Sequence, residues 1–569
     1  MFYDKVVQGT LIQGENVYPA ETLKEQIERI KIILNSLNLK EPLVALALPR
    51  NVYLIASMFA SLESNITFLP IDTGQPKERI QYMLEFAQVS YVLTLTENVF
   101  DFGGINTIYL DNHEYNTDIC IQNDNIKNNI AYILYTSGTT GKPKAVEITR
   151  EGLNNFIEGI PSLIEFNEGK RLACFTSATF DIFFLETVVA LYKGVNVVLA
   201  NEDEQNNPKK MIKILDDYSI NMIQMTPSRL KIIQAFDNEF ECLKNIHTIM
   251  IGGEKLHYEI FKSLQNKTKA KIYNMYGPTE TTIWSTVSEL TKKNKIDIGQ
   301  PILNTRVYLL SDDMKEVTNG NIGEICISGS GLARGYLNSE IQTEKSFCNL
   351  SFYPYERIYR TGDLGRYDED GDLLCLGRKD EQIKLRGHRI ELEDIDTNML
   401  KVTGIKMIAS CFDTEKEQLI SFYISDTNLD DKVIHKQAKL YLPEYMIPDK
   451  FCRVEHMMYT SSGKMDRRAL LSANKDVEKI ASEMHEVDSK IKDEVLEVVT
   501  NTIRTVTEST ITLLDGKTKI EELALNSISY INMIVELESI FDIEFEDEKL
   551  GVTAFESVDY IVKYIKELM

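Results

Sequence analysis

The chain has 569 residues, 43% of them hydrophobic, and a formal net charge of −24. This composition excludes a disordered chain, and the length predicts roughly three or four domains of ~150 residues each. The acidic balance argues against a nucleic-acid or anionic-membrane surface, so a site for an anionic ligand must gather its few positive charges locally.

No targeting or membrane-spanning segment is expected. The N-terminus, MFYDKVVQGT, lacks the apolar run of a secretory signal, and no apolar stretch reaches the ~18 residues of a membrane span. The eight cysteines are scattered without CxxC pairs or metal-ligand spacing, which is typical of reduced, buried thiols in a cytosolic protein. We therefore expect a cytoplasmic protein with no membrane partner.

Helical and extended patterns alternate over the first 130 residues. Residues 22–37 predict an amphipathic helix, because Leu23, Ile27 and Ile30 recur at helical spacing. The elements predicted after it are strands over 43–48, 66–71 and 91–95 and a helix over 52–62. Repeated strand–helix units predict an α/β fold with a largely parallel sheet.

The stretch 130–146, IAYILYTSGTTGKPKAV, is the one around which the chain is organised. Its first half is apolar and β-prone, and its second half is a loop of small and hydroxyl-bearing residues with Lys142 and Lys144. Glycine lets backbone N–H groups approach a ligand, and hydroxyls and lysines add donors and positive charge, so the loop suits a polyphosphate. It is not a Walker A loop, because only two residues separate Gly138 from Gly141. An ordinary Gly/Thr surface turn is the alternative.

The alternation continues to about residue 310. Strand-like segments over 174–179, 195–199, 222–225, 248–251 and 272–275 end at small or polar residues. Ligands in such folds lie at the carboxyl ends of strands. Short strands over 307–310, 324–328 and 373–376 indicate a β subdomain. We expect a core domain over 1–380, a small α/β subdomain over 381–475, a charged linker over 476–490 and a helical unit over 491–569.

Motifs in a fixed order carry a resemblance to a known family. They are YTSGTTGKPK (135–144), NMYGPTE (274–280), GEICISGSGLARGYL (323–337), YRTGDL (359–364), GRKDEQIKLRGHRIELEDID (377–396), LPEYMIP (442–448) and SSGKMDR (461–467). This series resembles the adenylation domains of nonribosomal peptide synthetases, within the adenylate-forming superfamily, from about residue 10 to 475. One departure is Ala145, where the family usually has glycine. It leaves both lysines of the loop in place.

The resemblance implies ATP and Mg²⁺ and assigns a nucleotide site. A carboxylate attacks the α-phosphorus of ATP and pyrophosphate leaves, so donors, a lysine and Mg²⁺ are needed at the phosphates. The implied catalytic residue is Lys464, and Glu280 would bind Mg²⁺. Tyr276 would stack on adenine and Asp363 would accept both ribose hydroxyls. The residues implied to bind ATP or AMP are Thr136, Ser137, Gly138, Thr139, Thr140, Gly141, Lys144, Gly253, Asn274, Tyr276, Gly277, Thr279, Asp363 and Arg378.

Each of these residues also has an ordinary structural interpretation. The Tyr-Gly-Pro-Thr run is typical of a turn, and an aspartate after Thr-Gly is typical of a cap or turn residue. Lys464, in Ser-Ser-Gly-Lys, could be a solvated loop lysine. The ordered set of motifs favours the nucleotide site over these separate interpretations.

The implied substrate pocket begins at Phe180-Asp181, a pair that amino-acid-activating relatives carry. Asp181 would pair with the ammonium group of the substrate, and its alternative role is an N-cap for a helix over 182–189. The other implied pocket residues are Ile182, Leu185, Ser228, Met250, Gly252, Met275, Ile283 and Trp284. Most are large and apolar, which leaves room for a small side chain, and the pattern is most similar to glycine-selecting domains. We expect glycine, followed by alanine, cysteine or serine.

The C-terminal helical unit centres on LALNSISYINMIVELESIF (523–541), whose apolar residues form one helical face. It resembles a peptidyl carrier domain, in which Ser527 would carry 4′-phosphopantetheine, and a helix N-terminus tolerates the added phosphodiester. Asn526 stands where carriers usually have aspartate or histidine. An N-cap is the alternative role of Ser527.

One active site must then serve two half-reactions. By resemblance, the 381–475 subdomain is mobile and rotates about Asp380, so that Lys464 leaves after adenylation. The loop around Arg386, Gly387 and His388 would then line a channel for the pantetheine arm.

The implied function is ATP-dependent activation of a small α-amino acid as aminoacyl-AMP and its transfer to the carrier thiol in cis, as a loading unit of nonribosomal peptide biosynthesis. An acyl- or aryl-CoA ligase is one alternative, but it would not need Asp181 and Ser527. A carrier scaffold with an inactive catalytic site is another alternative. The presence of Lys464, Glu280 and Asp363 argues against it. The implied partners are a phosphopantetheinyl transferase and a condensation or tailoring enzyme in trans, with an MbtH-like protein as a further candidate.

Overall fold

The computed structural model describes residues 6–569 apart from 38, 40, 113–127, 139–141, 319, 351–354, 381, 386, 459–464, 475–493, 508–513, 524 and 552–553. The chain divides into two compact units. Unit 1 comprises Met1–Ser137, Pro143–Lys231 and Glu239–Arg389, and unit 2 comprises Gly138–Lys142, Ile232–Asn238 and Ile390–Met569. The domain boundaries expected at 380, 475 and 490 stay predictions.

The helices that begin in unit 1 alternate with its strands. They are α1 (Ala20–Ser36), α2 (Val52–Glu63), α3 (Lys77–Phe86), α4 (Arg150–Gly159), α5 (Ile182–Phe184), α6 (Ala190–Tyr192), α7 (Glu202–Asn206), α8 (Pro208–Asp217), α9 (Pro227–Phe236), α10 (Tyr258–Lys267) and α11 (Glu340–Ser346). A π-helical turn over Leu185–Val189 joins α5 to α6, and 3₁₀ turns lie at Ile160–Ser162, Glu241–Leu243 and Thr279–Thr281.

The strands of unit 1 are β1 (Leu11–Gln13), β2 (Asn16–Tyr18), β3 (Leu43–Leu46), β4 (Thr67–Pro70), β5 (Tyr91–Thr94), β6 (Asn106–Tyr109), β7 (Ile130–Thr136), β8 (Lys144–Thr149), β9 (Arg171–Cys174), β10 (Asn196–Leu199), β11 (Met222–Met225), β12 (Thr248–Gly252), β13 (Lys271–Tyr276), β14 (Thr286–Glu289), β15 (Gln300–Pro301), β16 (Thr305–Leu310), β17 (Gly323–Gly329), β18 (Gly335–Tyr336), β19 (Phe347–Asn349), β20 (Arg357–Tyr367), β21 (Leu373–Arg378), β22 (Ile383–Leu385) and β23 (His388–Ile390).

These strands form two large sheets and two smaller ones. The first large sheet has nine strands in the order β15-β14-β13-β12-β11-β9-β10-β1-β2, and the second has seven in the order β18-β8-β7-β4-β3-β5-β6. Neighbouring strands from β9 to β13 in the first sheet are parallel, so their carboxyl ends meet at one edge. A five-stranded antiparallel sheet, β16-β17-β20-β19 with β21 on β20, forms the β subdomain, and β22 pairs with β23.

Residues of both large sheets contribute to one hydrophobic core. Phe68 of β4 lies 5.8 Å from Phe184 of α5, and Phe59 of α2 lies 4.9 Å from Tyr192 of α6, between ring centroids. α2 and residues 182–192 are buried nearly throughout rather than along one stripe, and the buried residues include the carboxylate of Glu186. The segment that begins at Ile182 is therefore held on every side by the core.

Unit 2 contains a small antiparallel and parallel sheet followed by a helical region. Its strands are β24 (Met407–Asp413), β25 (Gln418–Ile424) and β26 (Lys450–Arg453), and its helices are α12 (Leu392–Met399), α13 (Asp431–Ala438), α14 (Glu494–Thr507), α15 (Ser527–Phe541) and α16 (Val558–Leu568). Further 3₁₀ turns lie at Glu444–Met446, Ile520–Leu523 and Asp547–Lys549. The last three helices share a core that includes Val499, Ile503, Ile534, Leu537 and Ile561.

The predicted fold class is confirmed: a large α/β region with a β subdomain, a small α/β region and a C-terminal helical region. The strand predicted over 174–179 is wrong beyond Cys174, where β9 ends. Beyond β9, the Thr176 amide donates to the Glu186 carboxylate and the Thr176 carbonyl accepts from the buried Arg50 guanidinium, so both backbone groups bond to side chains instead of a strand. The helix predicted over 182–189 changes to a π turn at Leu185.

Within the described ranges, no helix combines the length and the continuous apolar character that crossing a bilayer requires.

Two glycines with left-handed backbones test how tightly β14 and β15 are joined. Gly299 has φ +72°, and a Cβ added there would lie 2.0 Å from the Val287 carbonyl oxygen, whereas Gly169 has φ +81° and open space within 4 Å. Both alanine variants share the left-handed strain of about 1–2 kcal/mol, but only Gly299→Ala adds a backbone clash. We expect Gly299→Ala to lower the thermal unfolding midpoint by several degrees more than Gly169→Ala in calorimetry. Equal shifts in the two variants would contradict this packing.

Candidate active site

The candidate site is built at the carboxyl ends of β12 and β13, which are neighbours in register with Gly252 opposite Met275. Gly253 follows β12 with φ +86°, a left-handed conformation that favours glycine. A Cβ at Gly253 would lie 3.4 Å from the Ile182 side chain. Gly277 follows β13 and has no space for a side chain, because the Ile283 carbonyl oxygen would lie 2.8 Å from its Cβ. Both strands therefore end in turns where the backbone conformation or the close packing favours glycine.

A buried carboxylate, Asp363 of β20, lies at the end of β13. The Tyr276 hydroxyl donates to its Oδ2 at 2.7 Å, and Nη1 of Arg378 lies 3.4 Å from its Oδ1. Strand pairing fixes this arrangement, because Asp363 faces Arg378 across β20 and β21. Burial raises the pKa of the Tyr276 hydroxyl well above its ordinary value, and the neighbouring Asp363 carboxylate adds to the effect. The structure therefore brings together three residues of the implied nucleotide site.

The side chain of Asn274, another implied nucleotide-binding residue, is engaged in a hydrogen bond within the protein. Its side-chain amide donates to the Asp297 carbonyl oxygen at 2.8 Å and is buried. This hydrogen bond ties β13 to the turn that precedes Gly299, so the described role of Asn274 is to hold the end of the strand.

The polyphosphate loop lies between β7 and β8. Thr136 and Lys144 face each other at its two ends. The Thr136 hydroxyl is buried and has no hydrogen-bond partner among the residues that the structure describes. Ser137 donates from Oγ to the carbonyl oxygen of Arg389 at 2.8 Å. The predicted binding residues Thr139, Thr140 and Gly141 lie outside the described residues, and Gly138 begins the short segment assigned to unit 2.

Glu280, the implied Mg²⁺ ligand, is completely buried in the 3₁₀ turn that follows β13. Nη1 of Arg389 lies 2.9 Å from both of its carboxylate oxygens, and the Tyr336 hydroxyl donates to Oε1 at 2.8 Å. Burial by itself would raise the pKa of the Glu280 carboxyl, but Arg389 and the tyrosine outweigh burial and hold it below its ordinary value. Glu280 is therefore an ionised oxygen ligand of the kind that Mg²⁺ prefers, and it fits a metal bound jointly with phosphate oxygens.

Asp181 lies buried directly before α5. Burial raises its pKa to about 6, although hydrogen bonds from the Thr279 hydroxyl and the Ile182 amide act in the opposite direction. Asp181 stands at the N-cap position of α5, but its side chain makes no capping hydrogen bond, because its bond from the Ile182 amide is not one to the second or third helical amide. A buried carboxylate suits the recognition of an ammonium group, and the charge of Lys384 also acts on Asp181 and lowers its pKa.

The implied pocket residues are largely buried and apolar, as expected: Ile182, Leu185, Met250, Met275, Ile283 and Trp284. The indole of Trp284 packs against β12, since a Cβ added to Gly252 would be 2.6 Å from its Cη2 atom. Ser228 differs from the apolar residues, because both its amide and its hydroxyl donate to Oε2 of Glu254, at 2.9 and 2.6 Å.

Three residues of the site region, Glu254, Tyr336 and Arg389, were not assigned a role from the sequence. Glu254 accepts hydrogen bonds from Ser228 and from the Gly387 amide. Tyr336 and Arg389 both contact Glu280, and the His388 ring packs edge-on against Phe180 with 4.6 Å between centroids. Tyr336 and Arg389 belong to two of the quoted motifs, and His388 was placed in the channel loop, but no spacing in the sequence links these positions to residue 280.

Two predicted residues remain, Lys464 and Ser527. Lys464, like Arg386, lies outside the described residues. Ser527 is exposed as the first residue of α15, and Asn526 is the N-cap, because its side chain accepts from the Ile528 and Ser529 amides at 2.9 Å each. The alternative role of Ser527 as an N-cap is therefore wrong. Its hydroxyl stands on the surface at a capped helix start.

Comparison with known proteins adds family and fold. The model of the family described as AMP-binding enzyme matches residues 18–337, more than half of the chain. The dimodular nonribosomal peptide synthase of Bacillus subtilis (strain 168) is 34% identical over 468 residues, which cover 79% of this chain and 19% of that protein. The chain spans between 7 and 19% of the lengths of the first curated relatives that it matches.

Two solved structures match the full length of the chain. Holo-PA1221, an NRPS protein containing adenylation and PCP domains bound to vinylsulfonamide inhibitor, is 22% identical with a TM-score of 0.82, covering 100% of this chain and 98% of that one. Holo-AB3403, a four domain nonribosomal peptide synthetase bound to AMP and glycine, is 25% identical with a TM-score of 0.60, covering 100% of this chain and 42% of that one. The first of these matches shows the fold of an adenylation domain followed by a carrier domain.

The family match covers Asp181, Tyr276 and Glu280, and the fold match extends over the region that carries Ser527. On these findings, the chain is a member of the AMP-binding enzyme family of adenylate-forming ligases.

Proposed function

We propose that this chain activates a small α-amino acid, with glycine as the best substrate, and transfers it to a carrier thiol in cis as a loading unit of nonribosomal peptide biosynthesis. The observation that carries this proposal is the buried Asp181 carboxylate beside an apolar pocket in which Trp284 lies against Gly252. A carboxylate in that place recognises an ammonium group, and the indole leaves little room for a side chain. This combination describes a small amino acid rather than an acyl or aryl acid.

In the first half-reaction, a carboxylate oxygen of the amino acid attacks the α-phosphorus of ATP. The bond from that phosphorus to the oxygen that bridges to the β-phosphate breaks, and pyrophosphate leaves with the electron pair. Thr136, Ser137 and Lys144 would hold the phosphates, Asp363 would accept the ribose hydroxyls, and Tyr276 would pack on adenine. A magnesium ion held by Glu280 would neutralise phosphate charge.

Lys464 would bridge the attacking carboxylate and the α-phosphate, as the resemblance implies. A lysine ammonium suits this place because it offers three donors to oxygens that gain negative charge in the transition state. Gly277 would allow the nucleotide to approach the backbone closely.

In the second half-reaction, a sulfur atom attacks the carbonyl carbon of the aminoacyl group. The bond from that carbon to the phosphate oxygen breaks, and AMP leaves. A 4′-phosphopantetheine arm on Ser527 would supply the thiol. The exposed position of Ser527 at the start of α15 supports this attachment, since a modifying enzyme must reach the hydroxyl.

Glycine is supported by pocket size and by neighbours. Holo-AB3403 is described as bound to AMP and glycine. The adenylation domain AlmE of Vibrio cholerae is described in complex with glycyl-adenosine-5′-phosphate. In this chain, Met250 and Met275 flank the Gly252 position, so the walls are bulky where a substrate side chain would enter.

The remaining parts of the proposal concern the setting of the enzyme. We expect a cytoplasmic protein that is modified by a phosphopantetheinyl transferase and that delivers its aminoacyl group to a condensation or tailoring enzyme in trans. An MbtH-like helper is a further candidate partner. Between the two half-reactions, the 381–475 subdomain would rotate about Asp380. This rotation would give the predicted boundary at residue 380 a functional role.

Exchange of pyrophosphate into ATP, measured with each of the twenty amino acids, tests the proposal directly. We expect glycine to give the highest exchange rate, with alanine, cysteine and serine next and aromatic or basic residues inactive, because the Trp284 indole limits the pocket. A Gly252→Ala variant should lose exchange with every amino acid, and Gly169→Ala is its matched control. An aromatic or basic best substrate would end the assignment to glycine, and no exchange with any amino acid would end the proposal.

The pKa of Asp181 predicts how substrate affinity depends on pH. Because the carboxyl titrates at about 6, its charge is present above that pH and is lost as the pH falls through it. We expect the KM for the amino acid in the exchange reaction to rise by up to about tenfold for each pH unit below 6, as one charge is titrated. Asp181→Asn should raise the KM at neutral pH and remove this dependence. A variant that keeps the wild-type pH profile would show that another group binds the ammonium.

Carrier loading is tested by intact mass. Incubation with coenzyme A and a phosphopantetheinyl transferase should add one phosphopantetheine to the wild-type chain. Ser527→Ala should remain unmodified. Ser529→Ala, two residues further along α15, should still be modified at Ser527, because the buried side chain of Ser529 is not the expected attachment site. Modification of the Ser527→Ala variant would place the attachment at another residue.

A further inference from the structure

Tyr132 is a buried tyrosine whose hydroxyl has no hydrogen-bond partner among the residues that the structure describes. The residue lies within β7 and is 0% exposed. A hydroxyl that leaves water without gaining a hydrogen bond costs free energy, and most buried polar atoms of native proteins are paired. In the absence of a ligand, Tyr132 therefore makes the protein less stable than a phenylalanine in the same place would.

A β-bulge turns Tyr132 towards the core that contains α5. In the ladder between β7 and β8, Ile130 pairs with Thr149, whereas Tyr132 pairs with the next residue, Ile148. Ala131 is thus an extra residue in β7. Residues two apart share a face in a regular strand, but here Ile130 and Tyr132 pack in different hydrophobic clusters. Bulges of this kind recur next to active sites, where they re-aim a side chain.

The ring of Tyr132 packs on the helix that begins directly after Asp181. It stacks on Phe184 of α5, with 4.1 Å between ring centroids and an interplanar angle of 23°, and its centroid lies 5.7 Å from that of Phe68. Burial raises the pKa of the Tyr132 hydroxyl well above its ordinary value, and the charge of Asp181 adds to the effect. The hydroxyl is therefore protonated and lies within electrostatic reach of Asp181, but it forms no hydrogen bond with that carboxylate.

A neutral tyrosine beside a carboxylate provides a second acceptor for an ammonium group. An ammonium group has three N–H donors, and the Asp181 carboxylate already accepts hydrogen bonds from the Thr279 hydroxyl and the Ile182 amide. The oxygen of a protonated tyrosine has lone pairs that can accept a further N–H. A hydrogen bond from a charged donor is about twice as strong as one between neutral groups, so this contact would add to the affinity for an amine.

We propose that Tyr132 is a further substrate-binding residue, whose hydroxyl oxygen accepts an N–H of the substrate ammonium group beside Asp181. The inference rests on the proposed activation of an amino acid and adds a second acceptor to its recognition. It also explains why a destabilising hydroxyl is present in the core, because the hydroxyl is paired only when an amine is bound. An acyl or aryl acid has no ammonium group and gains nothing from Tyr132.

The test compares two adenylate analogues that differ only in the amine, 5′-O-(N-glycylsulfamoyl)adenosine and 5′-O-(N-acetylsulfamoyl)adenosine. Their binding to the full chain is measured by isothermal titration calorimetry. Tyr132→Phe keeps the stacked ring and removes only the oxygen. We expect this variant to bind the glycyl analogue about tenfold more weakly than the wild type and the acetyl analogue equally well, because only the glycyl analogue has an ammonium group. Equal weakening for both analogues, or no weakening for the glycyl analogue, would overturn the proposal.

Tyr135→Phe is the matched control on the same strand. Tyr135 packs in the other hydrophobic cluster, and its hydroxyl donates to the Met83 carbonyl oxygen at 2.7 Å. Loss of this hydrogen bond should lower the thermal unfolding midpoint and leave the affinity for both analogues unchanged. Tyr132→Phe should keep or raise the midpoint, because no hydrogen bond within the protein is lost. A midpoint as low as that of Tyr135→Phe, or failure to fold, would overturn the proposal, since the Tyr132 hydroxyl would then be paired in the free protein.

The wild-type protein reports on the proposed function separately. If another amino acid gives the highest pyrophosphate exchange, its aminoacyl analogue replaces the glycyl one. A wild-type chain that binds no aminoacyl analogue more tightly than the acetyl analogue would defeat the proposed function. A wild-type chain that shows this preference, together with a Tyr132→Phe variant that retains it in full, would defeat only the role of Tyr132.

Discussion

Two carboxylates buried beside β13 impose the main electrostatic constraint on this molecule. Asp363 and Glu280 are 6% and 0% exposed, and burying a carboxyl group costs free energy unless it is hydrogen-bonded or paired. Tyr276 and Arg378 serve Asp363, and Tyr336 and Arg389 serve Glu280. The β subdomain and the segment up to residue 389 are therefore attached to the parallel sheet through charge as well as through apolar packing.

The positive side chains of these ion pairs explain how an acidic chain can accommodate an anionic substrate. A net charge of −24 would repel ATP if it were spread evenly. The cations that matter, Arg378, Arg389 and Lys144, are instead concentrated at one end of unit 1 on strands whose register fixes them. Local concentration of charge on a rigid frame can thus bind a nucleotide within a protein whose overall charge disfavours it.

Sequence patterns predicted the elements whose residues interact locally. The strand over 222–225 matches β11, and the helix over 22–37 matches α1 within two residues at each end. The strand predicted to run into Tyr276 is β13, which ends at that residue, whereas Asp363 lies inside β20 and Glu280 lies in the 3₁₀ turn after β13. Contacts between distant residues could not be predicted in this way: the Arg50 guanidinium donates to the Cys174 carbonyl from 124 residues away, and Arg389 reaches Glu280 across 109 residues. Capping was misassigned at Ser527 because Asn526, an equally good cap, precedes it.

Thr282 and Ile283, which precede Trp284, both have left-handed backbones, with φ +63° and +69°. β-Branched residues rarely adopt this conformation, and here the Thr282 hydroxyl donates to the Gly331 carbonyl oxygen at 2.6 Å, which offsets part of the strain. Gly331 itself has no room for a side chain, since its Cβ would stand 2.9 Å from the Thr281 carbonyl oxygen. The backbone that leads into Trp284 is thus held by a loop that follows β17. Evolution or engineering of a new selectivity must therefore accommodate this outer support as well as the lining of the pocket.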